Sequence, residues 1–181
     1  DPIEGLQLSI PSSVAASVSA AERAVDALNR DPPRLASLEV LARRLLRSES
    51  VASSRIEGLV LSQRRLARAE LDEDTTRDET ARSVLGNVTA MAEAVGLGTR
   101  ASPLRLGDIL AVHRTLMLAT TTPQIAGMIR TGQNWIGGNA FNPGRAVFVP
   151  PPPARVPALM DDLVAFMNRT DLSPVVQAAI A

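Results

Sequence analysis

An acid and a hydroxyl lie one helical turn apart at the end of a predicted helix. Ser53 and Glu57 are spaced i, i+4, so their side chains stand on one helix face and can bind one partner together. Gly58 follows immediately and is typical of a helix C-terminus. Taken alone, so short a pattern is more simply interpreted as a solvated helix end that carries an ordinary surface glutamate.

A second set of residues predicts an exposed β-hairpin. Residues 133–136 and 146–149 have strand character, and the connection between them is rich in Gly and Asn. The prolines at 150–153 should be extended, because they cannot donate backbone hydrogen bonds. An open strand edge with small residues nearby can accept an added strand from another polypeptide. The alternative is a surface ribbon with a structural role only.

The single histidine, His113, is a candidate for catalysis or metal binding. It lies on the apolar face of a predicted helix with Leu110 and Met117. No acidic residue near it in sequence has the spacing of a metal-ligand pair. We therefore interpret His113 as a packing residue.

Composition limits the classes of function. The chain has 181 residues and 45% apolar content, enough for one globular unit. Its 19 basic residues are all arginine and balance 19 acidic residues, so the net charge of zero gives no sign of a nucleic-acid-binding surface. The absence of cysteine excludes disulfides and thiol chemistry. Without an apolar run of membrane-spanning length or a signal-peptide pattern, the chain is predicted to be cytoplasmic. The pair Asp161-Asp162 is interpreted as solvated caps or helix-face residues.

Helices must position these residues, because apolar residues recur with a period near 3.6 along most of the chain. Proline, glycine and capping residues set the predicted bounds. Four predicted helices have both ends set by the sequence and span residues 12–29, 34–47, 61–71 and 106–118. A further helical turn begins at Ser48 or Ser50 and ends at Gly58, and another helix begins at Thr76 or Asp78 and ends at residue 98. Two more helices follow, one with Pro157 in its first turn and one that begins at Ser173-Pro174. The predicted fold is therefore mainly α with a small β-hairpin.

The order of these motifs resembles the Fic-domain family, whose members transfer AMP from ATP to protein hydroxyl groups. The pattern S/T-x-x-x-E-G/N at residues 53–58 resembles the inhibitory helix that some Fic proteins carry N-terminal to the Fic core. Gly127-Met128-Ile129-Arg130, Asn134-Trp135-Ile136-Gly137-Gly138 and Phe148-Val149-Pro150-Pro151-Pro152 follow in the order of the Fic flap. The resemblance implies a Fic-type helical bundle with a small β-hairpin flap. It also implies an N-terminal helical extension over 1–75 and the N-terminal part of the Fic core over 76–181.

The resemblance assigns roles to both candidate sites. Glu57 would pair with an active-site arginine and occupy the space that the ATP γ-phosphate needs, with Ser53 supporting it and Gly58 ending the helix. The flap, which we define as residues 133–149, would hold an extended target segment along its edge by backbone pairing. Its implied target-binding residues are Trp135, Ile136, Gly137, Gly138, Val147, Phe148 and Val149.

The family's catalytic string does not occur in this sequence. In Fic proteins, H-P-F-x-D/E-G-N-G-R supplies the histidine general base, the metal-binding acid and the phosphate cradle. In the family this string closely follows a helix like the one from Ser173, so we expect a chain truncated before the motif, with no catalytic residue or metal ligand of its own. ATP and Mg²⁺ are implied for the full-length protein and none is expected to bind this fragment. We expect the chain alone to be inactive.

The sequence leaves three hypotheses open. The first is a fragment of an autoinhibited Fic protein that transfers AMP to hydroxyl side chains of target proteins. The second is a noncatalytic regulatory or interaction module, and the third is part of a Fic-containing transcription regulator. The implied partner is a protein substrate or the protein itself, with a homo-oligomer left open. No membrane partner is expected, and this segment does not support nucleic-acid binding.

Overall fold

The computed structural model describes residues 2–31, 38–71 and 78–181. Within these ranges the helices are α1 (Ser12–Arg30), α2 (Leu38–Ile56), α3 (Gln63–Leu71), α4 (Glu79–Gly98), α5 (Leu106–Leu118), α6 (Val156–Met167) and α7 (Pro174–Ile180). Single 3₁₀ turns cover Pro123–Ile125, Pro143–Arg145 and Pro153–Arg155. The mainly α fold class is confirmed. No helix in the described ranges has the length and apolar character needed to cross a bilayer.

Helix α4 lies at the centre of the packing. It contacts α2, α3 and α5, and its contact with α5 is the most extensive. The buried apolar cluster around α2, α3 and α4 consists of Val51, Leu61, Leu66, Ala69, Ala81 and Val84. Burying a valine or leucine side chain stabilises a fold by roughly 1.5–3 kcal/mol. This cluster therefore fixes the C-terminal half of α2 against α4.

Helix α2 is continuous where the sequence predicts two helical segments. The predicted start at Ser48 or Ser50 is wrong, because both residues lie inside α2. Ser50 Oγ donates to the Leu46 carbonyl within the helix at 2.9 Å. A serine that bonds back in this way is compatible with a helix interior and does not act as a cap. The predicted start near residue 34 lies outside the described residues.

The starts of α4, α6 and α7 follow the predicted capping and proline residues. Asp78 caps α4, and its carboxylate accepts from the Ala81 N–H at 3.1 Å. The alternative start at Thr76 and the predicted division between residues 75 and 76 lie outside the described residues. Pro157 lies in the first turn of α6 and Pro174 opens α7, as predicted for prolines at these positions.

The predicted hairpin is reduced to one antiparallel bridge. It joins Ile136 and Phe148, with the Ile136 N–H donating to the Phe148 carbonyl at 2.9 Å. The Val147 N–H donates back to the Ile136 carbonyl at 2.8 Å. The strands predicted over 133–136 and 146–149 are therefore too long.

Beyond this bridge, the backbone hydrogen bonds of the predicted hairpin are missing, and a side-chain bond and proline residues take their place. Gln133 Nε2 donates to the carbonyls of Asn134 and Pro150 at 2.9 and 3.0 Å, so a side chain links the two limbs there. Proline has no N–H with which to extend the ladder. Pro152 is extended as predicted, whereas Pro153 opens a 3₁₀ turn.

The N-terminal segment is fastened to the C-terminal part of the chain. Asp162 on α6 accepts from the backbone N–H groups of Ile3 and Glu4 at 2.6 and 3.0 Å. Arg169 donates to the carbonyls of Glu4 and Leu6, each at 2.9 Å. The interpretation of Asp162 as a solvated helix-face residue is wrong, because its carboxylate satisfies two backbone donors of a distant segment.

Candidate functional site

The end of α2 is closed by a Schellman motif. Gly58 has a φ of +80°, a left-handed conformation that glycine adopts without steric cost. Its N–H donates to the Arg55 carbonyl at 3.0 Å, and the Leu59 N–H donates to the Ser54 carbonyl at 2.9 Å. The predicted helix end at Gly58 is confirmed, and the bond pattern makes Glu57 the C-cap residue.

The Glu57 carboxylate is available to a partner. Glu57 is exposed, and within residues 2–31, 38–71 and 78–181 it makes no hydrogen bond or ion pair. A negative charge at a helix C-terminus is opposed by the helix dipole, so this carboxylate does not stabilise α2. Ser53, one turn earlier, is half-buried, and its hydroxyl also lacks a partner among the described residues.

A buried polar cluster fixes the rotation of α2 against α4. The side-chain amide of Asn87 on α4 donates to the Ser50 carbonyl and to the Ser54 hydroxyl oxygen, each at 3.1 Å. Ser54 Oγ donates in turn to the Ser50 carbonyl at 2.8 Å, and both serines are buried. Because rotation of a helix decides which residues face a neighbour, this cluster sets the directions of Ser53 and Glu57.

The sequence-based predictions give the residues of this polar cluster no role in positioning the site. The signal that identifies them is an asparagine inside an apolar helix face. Asn87 lies between Val84 at i−3 and Met91 at i+4. An amide in an apolar helix face needs hydrogen-bond partners, so the half-buried Asn87 implies polar groups such as those of Ser50 and Ser54 on the helix opposite.

The segment after α5 is held against that helix. His113 Nδ1 accepts from the Gly127 N–H at 3.1 Å, and the adjacent Ala126 is buried. Gly127 has a φ of +70°, and a Cβ there would lie 3.1 Å from both the Leu110 carbonyl oxygen and Arg114 Cβ. His113 therefore has a packing role, as predicted. Its accepting Nδ1 leaves the proton of the neutral imidazole on Nε2.

The flap has open backbone edges on both sides of its bridge. In this antiparallel pair the backbone groups of Ile136 and Phe148 face each other, so those of Trp135 and Val149 face outward. In the part of the chain that the structure describes, neither Trp135 nor Val149 makes a backbone hydrogen bond. Edges of this kind can pair with an added strand.

The side chains around the bridge are apolar and solvent-exposed. The exposed fractions are 86% for Val147, 65% for Ile136, 55% for Phe148 and 49% for Val149. A concentration of exposed apolar side chains in one short segment is typical of an interaction surface. Trp135 differs, because it is half-buried and its indole N–H donates to the Asn139 carbonyl at 2.8 Å.

Asparagine orders the tip of the flap. Asn139 Oδ1 accepts from the N–H groups of Phe141 and Asn142 at 2.8 and 3.1 Å. Gly137 and Gly138, with φ values of +80° and +72°, lead the chain into this turn. Side chains that bond to their own backbone two or three residues ahead are typical of Asx turns. Asn139 is absent from the predicted site, although Gly-Gly-Asn is a recognisable turn signal.

The structure brings the two candidate sites into one helical framework. The end of α2 packs on α4, α4 packs on α5, and α5 packs on the 3₁₀ turn Pro123–Ile125 that precedes the flap. Among the described residues, no hydrogen bond or ion pair links Glu57 to the flap. Their relative position therefore depends on the packing of α4 and α5.

Comparison with protein-family models gives two matches. A model described as Fic/DOC family N-terminal matches residues 15–96, and a model described as Fic/DOC family matches residues 103–181. The first match contains the end of α2, and the second contains the flap. A comparison with curated proteins gives no match.

Proposed function

Because this chain belongs to the Fic/DOC family, we propose that it supplies the inhibitory helix and the target-binding flap of a protein AMP-transferase. The proposed reaction transfers AMP from ATP to hydroxyl side chains of target proteins. Glu57 inhibits it by pairing with the family's active-site arginine, and Ser53 supports Glu57. The flap holds an extended segment of the target by backbone pairing.

The exposed Glu57 carboxylate carries this proposal. It lies at a helix end whose direction is set by the Schellman bonds of Gly58 and by the contacts of Asn87. A carboxylate can bind a guanidinium in a bidentate, charge-assisted pair, and it repels the phosphate that would otherwise bind there. Since the helix dipole disfavours the charge, a role outside α2 accounts for it better than helix stability does.

The flap supports the target-binding part of the proposal. Its outward backbone groups at Trp135 and Val149 are available to an added strand, and the side chains of Ile136, Val147 and Phe148 are exposed beside them. Main-chain pairing supplies affinity that is independent of sequence, and apolar side chains add preference for particular targets. An extended segment bound here would be held in a fixed register while its hydroxyl side chain reacts.

ATP and Mg²⁺ enter this proposal only because the family's reaction uses them. The described residues contain no group of three His, Cys, Asp or Glu side chains that could hold a metal ion, and residues 1–181 contain no Gly-Asn-Gly-Arg string. The described residues therefore do not fit Mg²⁺ and the ATP phosphates by themselves. We assign them no catalytic step, and their proposed part is to block the nucleotide and to orient the target.

Glu57→Gly tests the inhibitory role in the protein that combines this chain with the family's histidine motif. Removing a charge-assisted pair worth roughly 1.5–3 kcal/mol should raise the competent population about 10- to 100-fold. Autoadenylylation with labelled ATP measures this change. Ser53→Ala should raise activity less, because it removes a neutral hydrogen bond.

Two further variants separate charge from other effects. Glu57→Gln keeps the size of the side chain and should activate like Glu57→Gly. Glu49→Gln removes a different exposed acid of α2 and should leave activity at the wild-type level. A folded Glu57→Gly protein that is no more active than wild type would make Glu57 an ordinary helix-end acid.

A further inference from the structure

A cavity of about 690 Å³ lies between α5, the segment 124–134 and the start of α6. Much of its wall is apolar, with contributions from Ile109, Leu110, Ile125, Met128, Val156 and Met160. Its volume is in the range of small-molecule sites, about 300–1,000 Å³. Sites of this kind combine an apolar wall with a few fixed polar groups.

Arg130 gives the wall a positive charge that has no counter-ion among the described residues. Its guanidinium donates to the Gly132 carbonyl at 3.0 Å and to the Pro151 carbonyl. None of the residues that line the cavity is acidic, and Arg130 makes no ion pair with any described residue. Two neutral carbonyls orient the guanidinium but do not neutralise it, and a guanidinium has five N–H donors.

The wall is held in place by contacts within the chain. The bond from the Gly127 N–H to His113 Nδ1 ties the segment to α5, and Gln133 Nε2 ties it to the Pro150 carbonyl. His113 also lines the cavity and carries its neutral-form proton on Nε2. Because both contacts lie within the chain, the chain itself orders this wall of the cavity.

We propose that this cavity is a binding site for a small apolar carboxylate, an aryl or alkyl group with one terminal carboxylate. The apolar group occupies the space lined by Leu110 and Met160, and the carboxylate pairs with the Arg130 guanidinium. Charge complementarity selects this class of ligand, since the lining has a cation and no acid. The ligand is neither ATP nor a target protein, so the site goes beyond AMP transfer, although Gln133 and Asn134 at the start of the flap belong to its lining.

The test compares 4-phenylbutanoate with the neutral 4-phenylbutanamide by isothermal titration calorimetry at neutral pH. The carboxylate should bind about 10-fold more tightly, because its hydrogen bonds to Arg130 are charge-assisted. Arg130→Gln removes the charge together with the guanidinium bonds to the Gly132 and Pro151 carbonyls. It should abolish the preference and leave the affinity for the amide within about 2-fold, since the neutral amide does not depend on the charge. The amide NMR signals of Gly127 and Gly132 should shift with either ligand.

A second pair of variants tests the cavity without changing the charge. Met160→Trp should fill it and weaken both ligands at least about 10-fold, whereas Ala158→Trp places the same side chain at an exposed position of α6 and should change neither affinity. Circular dichroism confirms that each variant is folded. Equal affinities of wild type for both ligands, no binding of either, or unchanged binding by Met160→Trp would overturn the proposal. If Arg130→Gln fails to fold, the wild-type comparison and Met160→Trp decide the outcome.

Discussion

Gly127 shows how one residue decides the geometry of the chain after α5. Its φ of +70° directs its N–H to His113 Nδ1, and the absence of a side chain lets it approach Leu110 and Arg114. A residue with a Cβ would be strained in its backbone and would also press on two neighbours. The position of the segment therefore depends on glycine at this site.

Gly127→Ala should destabilise the protein by about 1–3 kcal/mol, because it combines left-handed backbone strain with close contacts at 3.1 Å. In a domain of this size the melting temperature should fall by about 2–4 °C per kcal/mol. Thermal unfolding followed by circular dichroism measures the change. Gly132→Ala is the matched control, since a Cβ there meets nothing within 4 Å. Equal melting temperatures for the two variants would contradict the expected strain.

The Asp78 carboxylate makes the stability of the start of α4 depend on pH. The Ala81 N–H and the Arg65 side chain, which lies 2.6 Å from the carboxylate, hold the pKa of Asp78 below its usual range. Since the pKa is depressed in the folded protein, this carboxylate stabilises the fold at pH values above its unfolded pKa of about 3.9. The stabilisation is lost as the pH falls through the lower folded pKa.

Asp78→Ala should therefore lower the free energy of unfolding by about 0.5–2 kcal/mol at neutral pH, the usual cost of losing a helix N-cap. The difference from wild type should shrink below about pH 4, where the wild-type carboxylate also becomes protonated. Urea unfolding at a series of pH values measures both effects. Asp26→Ala, at an exposed position of α1, should change little at any pH. If the loss of unfolding free energy in Asp78→Ala stays constant as the pH falls below about 4, the carboxylate charge is not the stabilising group.

At the scale of elements, the pairing of α2 with α4 is specific because it contains a polar cluster inside an apolar contact. Apolar packing alone tolerates small rotations, whereas the bonds of Asn87 to Ser50 and Ser54 are satisfied in one rotation of α2. The direction of Glu57 follows from that rotation. The helix end is thus positioned by residues one to two turns before it.

Asn87→Ala should cost about 1–3 kcal/mol, because it removes both donors to a buried site. It should also speed amide hydrogen exchange at Leu59, whose N–H closes the end of α2. Urea unfolding and exchange followed by NMR measure the two effects. Thr89→Ala is the control on the same helix, since Thr89 is exposed and its hydroxyl donates to the Leu85 carbonyl within α4. If Asn87→Ala loses no more unfolding free energy than Thr89→Ala does, the polar cluster does not hold α2.

At the scale of the whole molecule, contacts between distant parts of the sequence close the chain on itself. Asp162 and Arg169 bind the segment that begins at Ile3, and Ser173 Oγ donates to Glu22 of α1 at 2.6 Å. Helix α1 also contacts α7. The N-terminal segment therefore depends on the C-terminal helices for its position.

Asp162→Ala should release this segment and increase the rate of thermolysin cleavage between Leu6 and Ile10 by about 10-fold. The reason is that hydrogen bonds to a charged group contribute roughly 1.5–3 kcal/mol, and cleavage follows the population of the open form. Mass spectrometry of timed digests locates and measures the cleavage. Asp161→Ala removes the adjacent exposed acid and should digest like wild type. Similar rates for the two variants would show that Asp162 does not hold the segment.

The sequence by itself determined the features whose causes are local. Gly58, Pro157 and Pro174 set helix ends through bonds or steric limits within a few residues, so their types and spacing were enough. For α4 the sequence left Thr76 and Asp78 as alternative starts, and the structure shows the Asp78 cap. The spacing of Ser53, Glu57 and Gly58 likewise placed the acid at the end of α2. Their inhibitory role remains a prediction that activity measurements must test.

The tertiary structure decided what depends on distant partners. From the sequence, Ser50 could cap a new helix or bond back within α2. In the structure its hydroxyl bonds back within α2, and its carbonyl accepts from Asn87, 37 residues away. Asp162 could face solvent or bind Ile3, 159 residues away, and only the folded chain brings that N–H within 2.6 Å. Short capping bonds are specified by neighbouring residues, whereas buried polar bonds form only where packing removes water and brings the partners together.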